Sequence, residues 1–275
     1  VKIMIKLLSI ILFFLLLIIG GKRGIKTFFT IYINLALIFI LVLIVGWGFN
    51  PPIPTLIICI IISSVILFFL NGTNIKTISS FISVIIILII FPFIPSLVSN
   101  NIYIQGYSEE TIESIAYVNY NTGINMLVLS QCIILIGLIG NINDTSIAIS
   151  SALYEVHLNN PKLTKKELFT SGMNVGKDIL GTTTNTLFFA YLGGFMTLFL
   201  FFQDFQYSFS AIINSKIFAI EFTRIILSGI AAFLIIPLTS IITSTACIYI
   251  KENQYEEIKY NIRKQRNNSS RKRTT

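Results

Sequence analysis

The sequence predicts an all-α fold, a polytopic bundle of about seven transmembrane helices. Hydrophobic residues make up 54% of the chain and charged residues only 12%, whereas about a quarter of the residues in soluble domains are charged. The mean hydropathy is +0.82. The longest apolar runs reach the roughly 20 residues that a helix needs to cross a bilayer. Helices are favoured over strands because each backbone N–H in hydrocarbon must be bonded within its own segment.

Each predicted span is an apolar run that ends at polar residues, glycine or proline. Pro237 lies near the middle of the last run, where we expect a kink because proline removes one helical hydrogen bond. The predicted spans are 3–21, 27–46, 54–70, 77–98, 124–142, 180–202 and 217–250.

Three longer segments outside the spans differ in character. The connection 100–123 is polar and acidic. In 144–179, apolar and polar residues alternate around Pro161, which predicts a structured connection with two short helices. Thr164 and Glu167 have the spacing of a capping box at the start of the second of these. The tail 251–275 is basic and rich in asparagine, which predicts disorder.

Lysine and arginine in the connections predict the orientation, because positively charged loops stay in the cytoplasm. Eight of these residues lie in the connections after the first, third and fifth spans, and eight more lie in the tail 251–275. The opposite side has only Lys2, Lys6 and Lys216, and Arg224 lies near a boundary. We therefore expect the amino terminus outside and the carboxyl terminus in the cytoplasm of a cell-membrane protein.

Two polar clusters are candidates for function, both near the cytoplasmic ends of the fifth and sixth spans. Asp144 is either solvated at the membrane boundary or functional at depth, where a carboxylate costs a few kcal/mol. The second cluster includes Lys177, Asp178, Thr182 and Asn185. It either packs helices or closes a polar path together with Asp144. The candidate residues are Asn141, Asn143, Asp144, Lys177, Asp178, Thr182, Asn185 and Tyr191.

Glycines near these clusters predict close helix packing, since small residues let helix backbones approach each other in a membrane. Glu221 and Arg224 are three residues apart on one helix, so they can pair, either at the outer interface or as a gating pair. The glycines assigned to packing are Gly137, Gly140, Gly172, Gly176 and Gly181.

Several function classes lack their residues in this sequence. His157 is the one histidine, so the paired histidines of a zinc protease helix are missing, and there is no phosphate-binding loop. The basic residues follow the predicted topology rather than one folded face, which disfavours nucleic acid as a partner. We expect no catalytic residues, no metal and no cofactor, and the lipid bilayer is the expected partner.

The second half of the chain resembles the YibE/F family of bacterial multi-pass membrane proteins, most strongly from Asn125 to Ser244. The residues that carry the resemblance are Asp144, Ser146, the segment 150–155, Asn160, Pro161, Glu167, Leu168, the segment 171–174, Gly176, Asp178, Gly181, Thr182, Asn185, Thr186, Tyr191, Gly193, Glu221, Arg224 and Pro237.

The resemblance implies a multi-pass membrane protein without an established activity. Longer family members carry an additional region before the first helix, and this sequence resembles the short form that lacks it. The family joins two related chains, which implies a second YibE/F protein as a possible partner.

Two functions fit these observations. The first is a transporter or permease component, in which Asp144, Asp178, Lys177 and Asn185 line an inward-facing polar path. The second is a scaffold or accessory subunit, in which the glycines pack helices and the connection 144–179 binds a partner. An intramembrane aspartyl protease fits poorly, because no second glycine precedes Asp178 and no tyrosine precedes Asp144.

Overall fold

A computed structural model of the protein describes residues 2–92, 126–194, 196, 202–203 and 206–271. The all-α prediction is confirmed: the described chain is a helical bundle. Its helices are α1 (Lys2–Gly46), α2 (Pro52–Ser64, continued by a π-helical turn Val65–Phe69), α3 (Ile75–Ile90), α4 (Met126–Asn159), α5 (Lys165–Gly194), α6 (Phe209–Asn214) and α7 (Lys216–Arg271).

Helix α1 contains both of the first two predicted spans and reverses at Gly21, where φ is 51° and ψ is −130°. The rings of Phe13 and Phe28 meet at 5.0 Å between centroids, and the Ser9 and Tyr32 hydroxyls are hydrogen-bonded. Both pairs straddle the reversal, so the two arms form an antiparallel hairpin. The second arm begins directly after Gly21, whereas the predicted second span begins at residue 27. The chain reverses at this one glycine, so no separate loop lies between the two arms.

Helices α4 and α7 lie at the centre of the bundle. Helices α3 and α5 pack against both of them, α2 packs against α4, and α1 lies outside, against α2. One apolar core joins α2, α3, α4 and α7 through residues such as Leu67, Val84, Leu138 and Ile235. A second core joins α4, α5 and α7 around Leu153 and Leu168. The fourth, fifth and seventh predicted spans therefore share one interior.

Four helical segments in the described ranges are long and apolar enough to cross a membrane: Ile3–Gly46, Pro52–Phe69, Gln131–Asn159 and Phe222–Tyr249. Helix α3 is a shorter apolar helix that ends at Ile90, before Pro92, whose missing N–H cannot continue the ladder. The predicted span 180–202 corresponds to the end of α5, and residues 195 and 197–201 lie outside the described chain. The total of seven spans stays a prediction.

The connection 144–179 differs from its prediction. It is helical with a break at Pro161, but its helices are not separate, because they continue α4 and α5 without interruption. A continued helix adds one hydrogen bond per residue and avoids a second nucleation. Helix α7 likewise runs through Pro237 to Arg271, and so extends into the tail 251–275. The predicted acidic connection 100–123 lies outside the described residues.

Candidate functional site

Helix α4 buries a polar stripe on the face that it turns toward α2 and α3. Asn143, Ser146 and Ser150 are fully buried, and their spacing of three and four residues puts them on one face. The Asn143 amide donates to the Ser63 hydroxyl at 3.1 Å, and Ser150 and Ser80 share a hydrogen bond of 2.6 Å. We call this set of five side chains the inner seam. It extends over about 10 Å of α4, at about 1.5 Å per residue.

Most donors in the inner seam are also bonded to the backbone of their own helix. Ser146 donates to the carbonyl of Asn143 at 3.1 Å, and Ser80 to that of Lys76 at 2.8 Å. One acceptor of the inner seam is not satisfied: the buried Oδ1 of Asn143 has no hydrogen-bond partner among the described atoms. The same holds for the hydroxyls of Thr239 and Thr243 on α7. A buried polar atom left in this way costs about 1–3 kcal/mol.

A second polar contact joins α4, α5 and α7 on the opposite side of α4. The Tyr191 hydroxyl lies 3.2 Å from that of Ser228 and donates to the Gly137 carbonyl at 3.4 Å. Asn141 donates to the Ser228 carbonyl at 3.3 Å. A Cβ at Gly137 would stand 3.0 Å from the Tyr191 oxygen, so the glycine leaves room for this hydroxyl. We call these four residues the Tyr191 junction.

The two predicted aspartates lie elsewhere. Asp144 and Asp178 are both exposed, as are Lys177 and Asn185. Within the described chain, no hydrogen bond joins Asp144 to any of the other three. The reason is that α4 continues past residue 144 as a regular helix, so each step turns the side chain by about 100°, and Asp144 leaves the buried face of Asn143. The polar path closed by Asp144 and Asp178, one of the two alternatives that the sequence leaves open, therefore stays a prediction.

Helix α5 instead presents a polar face to the outside of the chain. Asp178, Thr182 and Asn185 follow the helical spacing of one face and are exposed. Thr182 donates to the carbonyl of Ile179 at 2.9 Å, so its hydroxyl is satisfied locally. Asp178 and Asn185 have no such contact among the described residues.

Two of the five predicted packing glycines lie in a tight helix contact. A Cβ at Gly172 would stand 2.6 Å from the Ser240 hydroxyl and 2.9 Å from Leu153 Cδ1, and one at Gly176 would overlap Ile236. Helices α5 and α7 meet along this line. Gly140 and Gly181 behave differently, because no described atom lies within 4 Å of a Cβ placed at either position. Both glycines lie on exposed faces of the described chain, so for these two the packing assignment stays a prediction.

The remaining predicted residues lie near the ends of helices. Arg224 is half-buried, and its Cδ lies 3.8 Å from the Cβ position of Gly137, beside the Tyr191 junction. The side chain of Glu221 lies outside the described part, so its ion pair with Arg224 stays a prediction.

The capping box of α5 has the geometry that its sequence predicts. The Glu167 carboxylate accepts the backbone N–H of Thr164 at 2.7 Å and its hydroxyl at 2.8 Å. Both bonds favour the charged form, so they lower the pKa of Glu167. This cap fixes where α5 begins after Pro161.

The inner seam contains two residues that the sequence did not single out, Ser63 and Ser80, and Ser150 was named only within the segment 150–155 that carries the family resemblance. Serine is common in apolar helices, where it bonds its own backbone. The helical spacing of hydroxyls marks other buried positions, since Ser79 and Ser83 on α3, and Thr239 and Thr243 on α7, are each four residues apart and buried. This four-residue spacing does not mark Ser63 or Ser80.

A bundle of long apolar helices with buried, hydrogen-bonded polar side chains defines the chain as an integral membrane protein. It matches the family described as YibE/F-like protein over residues 8–248. The chain therefore belongs to the YibE/F-like family, in agreement with the resemblance that its second half carries. No curated protein matches the chain, and no solved structure matches it.

Proposed function

We propose that the protein is a component of a membrane transport system and that the inner seam is part of the path of a small polar solute or ion. The observation that supports this most is Asn143, a fully buried side chain whose carbonyl oxygen has no described partner. A side chain that served only packing would gain by satisfying that acceptor or by being apolar. The proposal includes no enzymatic step, and the membrane concerned is the cell membrane.

The chemistry of the seam suits a transient polar ligand. Its groups are neutral hydroxyls and one amide, which can exchange hydrogen bonds without a change of charge. The serines can alternate between a helix carbonyl and a neighbouring side chain, as Ser150 bonds both Ile147 at 3.2 Å and Ser80. A solute that offers a donor to Asn143 Oδ1 would meet a preformed acceptor.

Flux through reconstituted liposomes tests this proposal. Proton, potassium and chloride movement are measured in separate runs with entrapped dyes. Ser80→Ala and Ser150→Ala remove one hydroxyl each with little change in volume, and we expect each to alter the flux by about threefold to tenfold, the equivalent of one hydrogen bond. Thr245→Ala is the matched control, because that exposed hydroxyl bonds only its own helix, at 2.7 Å to Ile241.

A flux that is absent for every ion, or that Thr245→Ala changes as much as Ser150→Ala does, counts against the transport proposal.

A second candidate function is an accessory subunit that associates with a related YibE/F protein. The exposed polar face of α5 favours it, because Thr182 and Asn185 fall within the predicted sixth span, where a polar surface gains from a protein neighbour rather than lipid. Thr182→Cys and Asn185→Cys should then form crosslinks to a partner in membranes. The native cysteines Cys59, Cys132 and Cys247 are buried, so the background is low. Ser210→Cys on α6, also exposed, is the control that should not crosslink.

A further inference from the structure

A basic cleft of about 470 Å³ opens where three parts of the chain meet. One part is the start of the second arm of α1, another is the connection between α2 and α3, and the third is α4. The residues that line the cleft and matter here are Lys22, Arg23, Lys26, Asn71, Lys76 and Ser151. All three parts belong to the side predicted to be cytoplasmic, so the cleft faces that compartment in the predicted topology.

We infer that this cleft binds a phosphate-bearing organic anion. Four cationic side chains line it, and no acidic side chain is among its described lining residues. Like charges held together in one cleft repel each other, and an anion bound between them removes that cost. A cleft of this size lies in the range of small-molecule sites, about 300–1,000 Å³, which exceeds the volume of a bare phosphate.

Two of the cations are held in place by neighbours. The Arg23 guanidinium donates to Asn71 Oδ1 at 2.7 Å. This bond links the connection after the first predicted span to the connection after the third. The Lys26 ammonium lies 5.7 Å from the centre of the Phe69 ring, within the range of a cation–π contact. Neither contact neutralises a charge. Arginine keeps further N–H donors for two parallel bonds to a phosphate, and the ordering lowers the entropy lost on binding.

Lys76 completes the cleft from the first turn of α3. It is half-buried, and the helix start is fixed by Asn74, whose side chain accepts the Thr77 N–H at 3.2 Å. The amino-terminal end of a helix carries partial positive charge, which adds to the attraction for an anion. Positively charged residues that only set the membrane topology need to be numerous in a cytoplasmic loop. They do not need to line one cleft together.

The phosphate has two possible sources with the same chemistry, an anionic lipid headgroup or a soluble phosphorylated metabolite. Binding is measured on the full-length purified protein in two arms. In the first, native mass spectrometry counts phosphatidylglycerol retained from mixed phosphatidylglycerol and phosphatidylcholine nanodiscs. In the second, pyrophosphate is titrated by calorimetry into protein in phosphatidylcholine nanodiscs. Neither readout requires transport, so the inference stands or fails independently of the proposed function.

The test variant is Arg23→Gln combined with Lys76→Gln. We expect it to weaken binding by at least about tenfold in the arm that is positive for the wild type, since it removes two charge-assisted contacts to the anion. The matched control is Lys165→Gln with Lys166→Gln, which removes the same charge from exposed positions at the start of α5 and should leave binding unchanged. If the double variant fails to fold, Arg23→Lys is tested instead. It keeps the positive charge but loses the parallel N–H donors of the guanidinium, so it should still weaken binding severalfold.

Retention of phosphatidylglycerol alone supports a lipid headgroup, and binding of pyrophosphate alone supports a soluble ligand. Equal loss in the Lys165 and Lys166 control, or no binding in either arm, would overturn the inference.

Discussion

Ser80 and Ser150, seventy residues apart in the chain, share a buried hydrogen bond of 2.6 Å between α3 and α4. Each hydroxyl also lies within hydrogen-bonding distance of a carbonyl of its own helix, so one hydroxyl donates across the contact while the other donates to its own helix. The contact selects one register of α3 on α4 without leaving a donor unsatisfied. It is one of two described side-chain hydrogen bonds in the inner seam that join separate helices.

The pair should be energetically coupled. In a double-mutant cycle of Ser80→Ala and Ser150→Ala, we expect a coupling free energy of about 0.5–1.5 kcal/mol, as for hydrogen bonds between membrane helices. The free energy of unfolding is measured in mixed detergent and sodium dodecyl sulfate micelles. Thr245→Ala should add to Ser80→Ala without coupling, since the two residues share no partner. Additive effects of Ser80→Ala and Ser150→Ala would mean that the contact contributes nothing.

Gly172 should tolerate no side chain while Gly181 accepts one. A methyl group at residue 172 meets Ser240 and Leu153, at 2.6 and 2.9 Å, so Gly172→Ala should lower the free energy of unfolding by about 1–3 kcal/mol. Gly181→Ala, on the same helix with open space around it, should be neutral or stabilising by up to about 1 kcal/mol through helix propensity. Unfolding in mixed micelles measures both. Adding Ser240→Gly to Gly172→Ala should restore part of the loss.

The hairpin of α1 should depend on Gly21 and not on Gly20. Gly21 combines a positive φ of 51° with a ψ of −130°, as at the first central residue of a type II′ turn, and this conformation costs a residue with a Cβ about 1–3 kcal/mol. Gly21→Ala should therefore weaken the contact between the two arms, whereas Gly20→Ala should not, because Gly20 is helical and has open space around it. A bifunctional thiol reagent that spans the volume of the tyrosine ring crosslinks Ser9→Cys to Tyr32→Cys and reports the hairpin: the rate of crosslinking should fall in the Gly21 variant alone.

The residues that sequence reasoning found and missed differ in a physical way. The capping box of Thr164 and Glu167 depends on four consecutive residues, and the span ending at Phe69 depends on one apolar run, so both were predictable. The face of α4 that is buried depends on which helices pack against it. The charge of Asp144 is visible in the sequence and therefore drew attention. The burial of its neighbour Asn143 is not visible there, because it depends on the packing of α2 and α3 against α4. The partners of Asn143 and Ser150, eighty and seventy residues away, leave no local signal.

The start of α5 should be sensitive to acid. Hydrogen bonds from Thr164 lower the pKa of Glu167, so its contribution to stability is present above the ordinary carboxyl pKa and is lost as the pH falls through the lowered value. Hydrogen exchange of the peptide covering Thr164–Leu168, corrected for intrinsic rates, should rise in that window. Glu167→Gln retains an acceptor for the cap but has no proton to gain, so its protection should not change with pH. Persistent pH dependence in this variant would assign the effect to another group.

Tyr191 should hold α5 against α4 and α7 through its hydroxyl more than through its ring. Its oxygen lies 3.2 Å from Ser228 Oγ and 3.4 Å from the Gly137 carbonyl, and Tyr191→Phe removes both contacts while it keeps the ring. We expect a loss of about 0.5–1.5 kcal/mol in the free energy of unfolding. Ser228→Ala should cost a similar amount, and the double variant less than the sum, because both remove the same bond.

Tyr249→Phe serves as the control for loss of a tyrosine hydroxyl, since its side chain is exposed and lies 21 residues after Ser228 on α7. If Tyr191→Phe unfolds like the wild type while Tyr191→Ala is strongly destabilised, the ring and not the hydroxyl makes the contact. Because the junction lies on the face of α4 opposite the inner seam, Tyr191→Phe should also leave any liposome flux within about twofold of the wild type, whereas Ser150→Ala should not.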